Sequence, residues 1–346
     1  MRVLIPDAKF ADSARLEADA AGSGIRFVSH FDLPQADIPP EDWESCDAVI
    51  AYDEVRLDRA WLERMAHVRV IVRAGVGFDN VDLETAGRLG IAVCNVPDYG
   101  TTDVADHAIA MLLTLTRGTA TFDEAIRRDP RGGWRFDGPP VIRRLRGQVF
   151  GVVGLGRIGL ATALRARAFG MEVVFYDPYR PSGTELALGF ERANRLNELM
   201  AWADVVSLHT PLTPETERMV GAEAFAASKP GQILVNTARG PVVDLDALHE
   251  ALATGRLAGA ALDVLPIEPL ERDIEHPLLT AWRNAESWIA GRLLLSPHAA
   301  FYSPDSIRDL RGKSAEVVAA ALREGRLVNC VNRAWLTPQR GWPPGQ

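Results

Sequence analysis

The chain has 346 residues, 47% of them hydrophobic, and a formal net charge of -8. That length and apolar content support two domains with cores of their own and exclude a disordered scaffold, while the acidic balance argues against nucleic acid or an anionic membrane surface as partner. Cys46, Cys94 and Cys330 are odd in number and lack metal-ligand spacing, which argues against a disulfide framework or a metal site and fits a reduced, cytoplasmic protein.

The N-terminal MRVLIPD begins directly as a strand, without a basic leader followed by an apolar stretch, and no run of about 18 apolar residues occurs anywhere. Strand and helix patterns then alternate: RVLIPD, a helix from Ser13, IRFVSHF, CDAVIAYD, a helix through Trp61, VRVIVRAG, a helix from Asp82, and IAVCNVP. Such alternation predicts a parallel-sheet α/β unit. Thr101 to Arg117 carries a threonine-rich start and apolar residues at helical spacing, as expected of a helix linking two domains. The stretch from Arg127 to Arg146 is rich in Arg, Gly and Pro and reads as loop-rich cover or a subunit-contact arm.

A second set of strands follows: VFGVV, MEVVFYD, DVVSLHTP, QILVNTAR and GAALDVL, with DLDALHEALATGRL as an amphipathic crossover helix. The fold class expected is α/β with two doubly wound parallel-sheet domains, a Rossmann nucleotide domain and a flavodoxin-like substrate domain. The helix from Ile307 to Arg323 comes after the second set is complete and is expected to cross back to the first. The boundaries are 1–99 with 300–332 for the substrate domain and 100–299 for the nucleotide domain. Pro338, Pro343 and Pro344 mark 333–346 as a disordered tail.

In VFGVVGLGRIG, Gly154 permits a tight turn, Gly156 lets phosphates approach the backbone, and Gly159 allows close packing of helix on strand. Arg157 and Ile158 begin that helix, whose N-terminal N–H groups attract an anion. Asp177 follows about 20 residues later, where a carboxylate holds the adenosine ribose hydroxyls and repels a 2′-phosphate. The pattern predicts NAD as cofactor, with Arg180 the one nearby feature that favours NADP.

Three polar residues fall at or beyond the C-terminal ends of predicted strands, where open α/β sheets bind ligands: Arg239, Glu268 and His298. Side chains of these three types can bind an anion and move a proton at a neighbouring oxygen. A guanidinium forks onto a carboxylate, an imidazole donates or accepts the proton, and a glutamate on its other nitrogen orients the ring and favours its charged form.

RAGVGFDNVD, SLHTPLTPET, LVNTARGPVVD, ALDVLPIEP and LSPHAA together resemble the D-isomer-specific 2-hydroxyacid dehydrogenases, from Met1 to about Asn332. Within them IAVCNVPDYGTTDVAD, LRARAFGMEVVFYDPY, HAAFYS and NCVN are most similar to the C-terminal binding protein branch, NAD-responsive corepressors that keep the dehydrogenase site. The resemblance implies Arg239, Glu268 and His298 as catalytic residues. It implies Arg73 with the backbone of Val76 and Gly77 at the substrate carboxylate, and a cofactor lining of Val104, His209, Thr210, Pro211, Thr216, Thr237, Ala238 and Asp263, with Asp263 taking the carboxamide. It also implies a small 2-hydroxy or 2-oxo acid substrate and a homodimer.

Glu268 departs from the glutamine that formate dehydrogenases of this family carry, and so argues against formate. Phe301 stands where the animal corepressors have tryptophan, and the segment 270–295 is longer than in most relatives, with Trp282 and Trp288 as lid, contact or core residues. His107 is expected to be packed rather than catalytic. The competing expectation is an NAD(H)-sensing scaffold with residual dehydrogenase activity.

Overall fold

The computed structural model describes residues 1–270 and 275–342. The chain divides into two compact units, Met1–Gly100 with Ser303–Gln346, and Thr101–Tyr302. The first unit holds β1 (Arg2–Ala8), β2 (Arg26–Phe31), β3 (Ala48–Ala51), β4 (Val70–Arg73) and β5 (Ala92–Asn95). They pair in the order β2-β1-β3-β4-β5, parallel throughout. β3, β4 and β5 are buried along their whole length, so their apolar runs need no alternation.

The long helix Pro304–Glu324 belongs to this first unit. It starts with a capping box in which Ser303 and Ser306 satisfy each other's backbone N–H groups. Arg311 on its buried side carries two carboxylates: its Nη2 is 2.6 Å from Glu17 Oε2 and its Nη1 is 2.7 Å from Asp12 Oδ2.

The second unit contains β6 (Val149–Val153), β7 (Glu172–Tyr176), β8 (Glu191–Arg192), β9 (Val205–Leu208), β10 (Gln232–Asn236), β11 (Leu257–Leu262) and β12 (Leu293–Leu295). Their order is β12-β11-β10-β9-β6-β7-β8, again all parallel. Chain order therefore reverses between β6 and β9, which opens a crevice beyond the C-terminal ends of those two strands. The helix Thr101–Arg117 begins this unit and the crossover helix Leu245–Ala253 is capped by Asp244. A further helix, Thr119–Arg128, runs into the Arg/Gly/Pro-rich stretch, which is irregular only after it.

Two regions depart from the sequence-based expectation or refine it. Pro277–Arg283 forms a helix within the long 270–295 segment, and both Trp282 and Trp288 pack against the core of the second unit; residues 271–274 lie outside the described residues. The tail is ordered as far as Trp342, not disordered. Arg333–Trp335 and Pro338–Arg340 form 3-10 turns, and the Trp342 side chain is buried with its indole N–H donating to Gly90 O at 3.1 Å. Arg340 Nε donates to Leu89 O at 2.7 Å and its Nη1 to Met65 O at 2.8 Å. Proline and glycine signal a restricted backbone, which is equally compatible with a segment that docks through its Trp and Arg side chains. Residues 343–346 lie outside the described residues.

Among the described residues no helix is long and apolar enough to cross a membrane, and no group of three or more His, Cys, Asp or Glu is placed to hold a metal ion. Removing the Trp342 side chain empties a buried site and strips Gly90 O of its donor. Trp342→Ala is expected to destabilise the first unit by about 3–5 kcal/mol, read as an earlier calorimetric transition.

Candidate active site

The β6 strand ends at Val153, and Gly154 turns the chain with φ of 88°. A Cβ on Gly154 would stand 2.8 Å from His209 O, and one on Gly159 would stand 2.1 Å from Gly154 O, so both glycines are dictated by close backbone approach. Gly156 is different. A Cβ there would meet nothing within 4 Å, although Gly156 caps the helix Arg157–Ala168 without any side-chain bond. Open space facing an uncapped helix N-terminus suits a phosphate group.

The dinucleotide fits the remaining residues as well. Asp177, just past β7, accepts from Leu155 N and Tyr179 N, each at 2.9 Å, so its carboxylate is fixed against the glycine turn. Arg180 Nε lies 3.7 Å from the same carboxylate. Thr210 and Thr237 both carry buried hydroxyls with no hydrogen-bond partner among the described residues, an arrangement that a polar ligand would relieve. Val104 is buried on the helix Thr101–Arg117. Thr216 spends its hydroxyl on Pro211 O at 2.7 Å, which shapes the loop after β9.

His209 follows β9, and its Nε2 is 2.9 Å from Ser207 Oγ. Burial pushes its pKa down to about 3. A neutral imidazole of this kind has no proton to give at neutral pH, so His209 packs and does not titrate there.

Arg239, Glu268 and His298 come after β10, β11 and β12 respectively, three adjacent parallel strands, and so emerge at the same end of the sheet. Glu268 is clamped between two partners. Its Oε1 accepts from Leu265 N at 2.6 Å and its Oε2 is 2.7 Å from His298 Nδ1. With the carboxylate ionised, Nδ1 carries the proton, which leaves Nε2 as the nitrogen available to a reactant. His298 has φ of 50°, a left-handed conformation rare for a residue with a side chain, and its ring meets Phe301 edge-on.

That conformation is held from below. Asp263 is buried, its Oδ1 accepts from Ser296 Oγ at 2.5 Å and Ala299 N at 2.9 Å, and its Oδ2 accepts from Ala300 N at 3.0 Å. His298 N donates to Asp263 O at 2.8 Å. Asp263 thus grips the residues on both sides of His298, a role that a lone acid after an apolar strand does not signal. Ser296 Oγ is also 3.0 Å from His107 Nε2, so His107 is a packed support of this loop.

Asn236, fully buried at the end of β10, accepts from Ala238 N at 2.9 Å and donates to Arg239 O at 3.0 Å, folding the turn that carries Arg239. Arg239 Nη1 donates to Ala238 O at 2.7 Å. Gly240 brings this turn against the loop after β11, since a Cβ would stand 1.9 Å from the Leu265 carbonyl carbon. Sequence reasoning left Asn236, Gly240 and Ser296 without roles; the one legible signal was a buried amide and a glycine on either side of the arginine.

In the first unit, Arg73 ends β4 and is buried, with Nη1 donating to Ala74 O at 3.1 Å. Val76 O accepts from Asn95 Nδ2 at 2.7 Å, which ties the loop containing Gly77 to the end of β5.

Residues 109–300 match the family described as D-isomer specific 2-hydroxyacid dehydrogenase, NAD binding domain. The chain is 35% identical over 292 residues to D-3-phosphoglycerate dehydrogenase of Methanocaldococcus jannaschii, covering 84% of this chain and 53% of that protein. It is 33% identical over 293 residues to C-terminal-binding protein 1 of Caenorhabditis elegans, covering 83% of this chain and 39% of that protein. The chain thus spans about half or less of the length of these curated relatives. The crystal structure of Aquifex aeolicus D-lactate dehydrogenase complexed with NAD and lactic acid superposes with a TM-score of 0.78 at 27% identity, covering 94% of this chain and 96% of that one.

The buried imidazole of His209 gives a test of the local electrostatics. Between the pH of about 6.5 at which an unfolded histidine gains its proton and the value of about 3 in the folded chain, only the unfolded state is protonated. Stability therefore falls as pH drops through that window. His209→Gln is expected to show a shallower acid loss in urea unfolding followed by tryptophan fluorescence; equal slopes would mean that His209 is not held neutral.

Proposed function

The chain belongs to the D-isomer specific 2-hydroxyacid dehydrogenase family and binds NAD as its cofactor, and from that premise we propose that it transfers hydride between NAD(H) and a small 2-hydroxy or 2-oxo acid. The observation that carries the reading is the 2.7 Å pairing of His298 Nδ1 with Glu268 beyond the same sheet end as Arg239. NAD(H), when bound, supplies or takes up the hydride.

The residues do the rest. Arg239 holds the substrate carboxylate through its planar fork and polarises the neighbouring carbonyl. His298 gives its Nε2 proton to the carbonyl oxygen during reduction and takes it back during oxidation. Glu268, fixed by Leu265 N, keeps the ring oriented and stabilises it when charged. Asp263 keeps Oδ2 with a single internal donor, which leaves room for the carboxamide of the cofactor. Roles for Arg73, Val76 and Gly77 at the substrate, and a homodimeric assembly, rest on the family resemblance.

A second reading, an NAD(H)-sensing scaffold, is favoured by the 33% identity to C-terminal-binding protein 1. The intact site suits both readings; the match over 94% of this chain and 96% of the D-lactate dehydrogenase, against 39% of C-terminal-binding protein 1, puts catalysis first. Partner capture that tracks NADH, without turnover, would reverse that preference.

Oxidation of NADH is expected with at least one of glyoxylate, hydroxypyruvate, pyruvate, phenylpyruvate or a branched 2-oxo acid, measured by absorbance; cofactor binding without turnover across that panel would overturn the assignment. His298→Gln should lower kcat by about 10²–10⁴-fold while leaving NADH affinity, read by fluorescence titration, within a few-fold of the parent. Arg239→Lys should cost about 10–100-fold in kcat/KM, because a point charge replaces a bidentate fork.

A further inference from the structure

Cys94 and Cys330 stand apart from the dehydrogenase chemistry. Cys94 lies within β5 and is fully buried; Cys330 is half-buried on the segment that returns after the helix Pro304–Glu324. The two residues form an isolated antiparallel bridge. Val331 N donates to Val93 O at 2.8 Å and Asn95 N donates to Asn329 O at 3.2 Å, so the hydrogen bonds fall on the flanking residues and not on the cysteines themselves.

That register makes the cysteines a non-hydrogen-bonded pair, the closer of the two antiparallel kinds, with Cα atoms about 4.5 Å apart. A disulfide requires a Cα separation of about 4.4–6.8 Å. The two thiols stand side by side, and the Cys330 thiol donates to Asn332 Oδ1 at 3.4 Å. Asn332, fully buried, locks the register: its Oδ1 accepts from Val93 N at 2.8 Å and its Nδ2 donates to Ile91 O at 2.9 Å.

We propose that Cys94 and Cys330 form a reversible dithiol–disulfide site that hydroperoxides oxidise. The more exposed Cys330 is the first to react; the Cys94 thiol beside it lowers its pKa, while that contact and burial push Cys94 up. The Cys330 thiolate attacks a peroxide oxygen, an S–O bond forms as the O–O bond breaks, and the departing hydroxide takes up a proton as water. The Cys94 sulfur then attacks the resulting sulfenic acid. An S–S bond forms, the S–O bond breaks, and water leaves with the Cys94 proton. Two thiols and one hydrogen peroxide become one disulfide and two waters, two electrons passing from sulfur to peroxide.

The bond would join the two chain segments of the first unit, which are separated in sequence by the whole of Thr101–Tyr302. A cross-link closing so long a loop restricts the unfolded chain strongly. Cys46 is an internal control, being buried and pushed up to about 12.

The 346-residue chain is treated with one equivalent of hydrogen peroxide under native conditions, alkylated, digested with trypsin and analysed by mass spectrometry. Cleavage after Arg88, Arg117, Arg326 and Arg333 isolates peptides 89–117 and 327–333. The expected result is a link between these two peptides, lost on treatment with dithiothreitol, together with a rise of about 5 °C in the Tm of the oxidised protein. Cys46→Ser should give the same link, and Cys94→Ser should leave Cys330 as a sulfenic acid that dimedone traps. Absence of the 89–117 to 327–333 link in the oxidised parent, with Cys330 unmodified or carried on to sulfinic acid, overturns the proposal whether or not the variants fold.

Discussion

Reversal of strand order between β6 and β9 is the constraint on which the layout of the second unit depends. Parallel strands all point their C-terminal ends the same way, and where the crossovers change direction no helix covers those ends. The glycine turn after β6 and the His209 turn after β9 border that gap, and Gly154 meets His209 O so closely that only a glycine fits. On the β7 side Asp177 is pinned to the turn through Leu155 N. On the other side β10, β11 and β12 deliver Arg239, Glu268 and His298 to the same sheet end.

Delivery to one end is not enough for chemistry; the groups must also be held. The second unit does this with buried polar side chains that bond the backbone. Asn236 folds the Arg239 turn, Glu268 takes Leu265 N, and Asp263 takes the N–H groups of Ala299 and Ala300. The left-handed conformation of His298 persists because its neighbours on both sides are fixed. A carboxylate that accepts backbone N–H groups in a buried setting is both satisfied and hard to displace, which is how a strained imidazole stays aimed.

The first unit solves a different problem, that of one compact unit made by two distant stretches of chain. Arg311 ties the late helix to Asp12 and Glu17, and Asn332 ties the final segment to β5. Arg340 and Trp342 extend the same attachment past the last regular helix. The Cys94–Cys330 register is a product of that attachment, and its oxidation would turn a set of noncovalent ties into a covalent one.

Alternating apolar runs and helical patterns, read along the chain, determined the α/β class, the glycine turn and the acid that follows it, because those features are local: a strand buried on both faces needs continuous apolar residues, and a phosphate-binding turn needs bare backbone at fixed spacing. The placement of Arg239, Glu268 and His298 at one sheet end was legible for a related reason, each falling just past a strand in a fold whose strands end together. Tertiary structure alone decided the rest. The grip of Asp263 on the His298 loop, the meeting of Gly240 with Leu265, the docking of Trp342 in a tail rich in proline, and the apposition of Cys94 with Cys330 all join residues far apart in sequence, and no local period records which distant backbone will arrive beside a side chain.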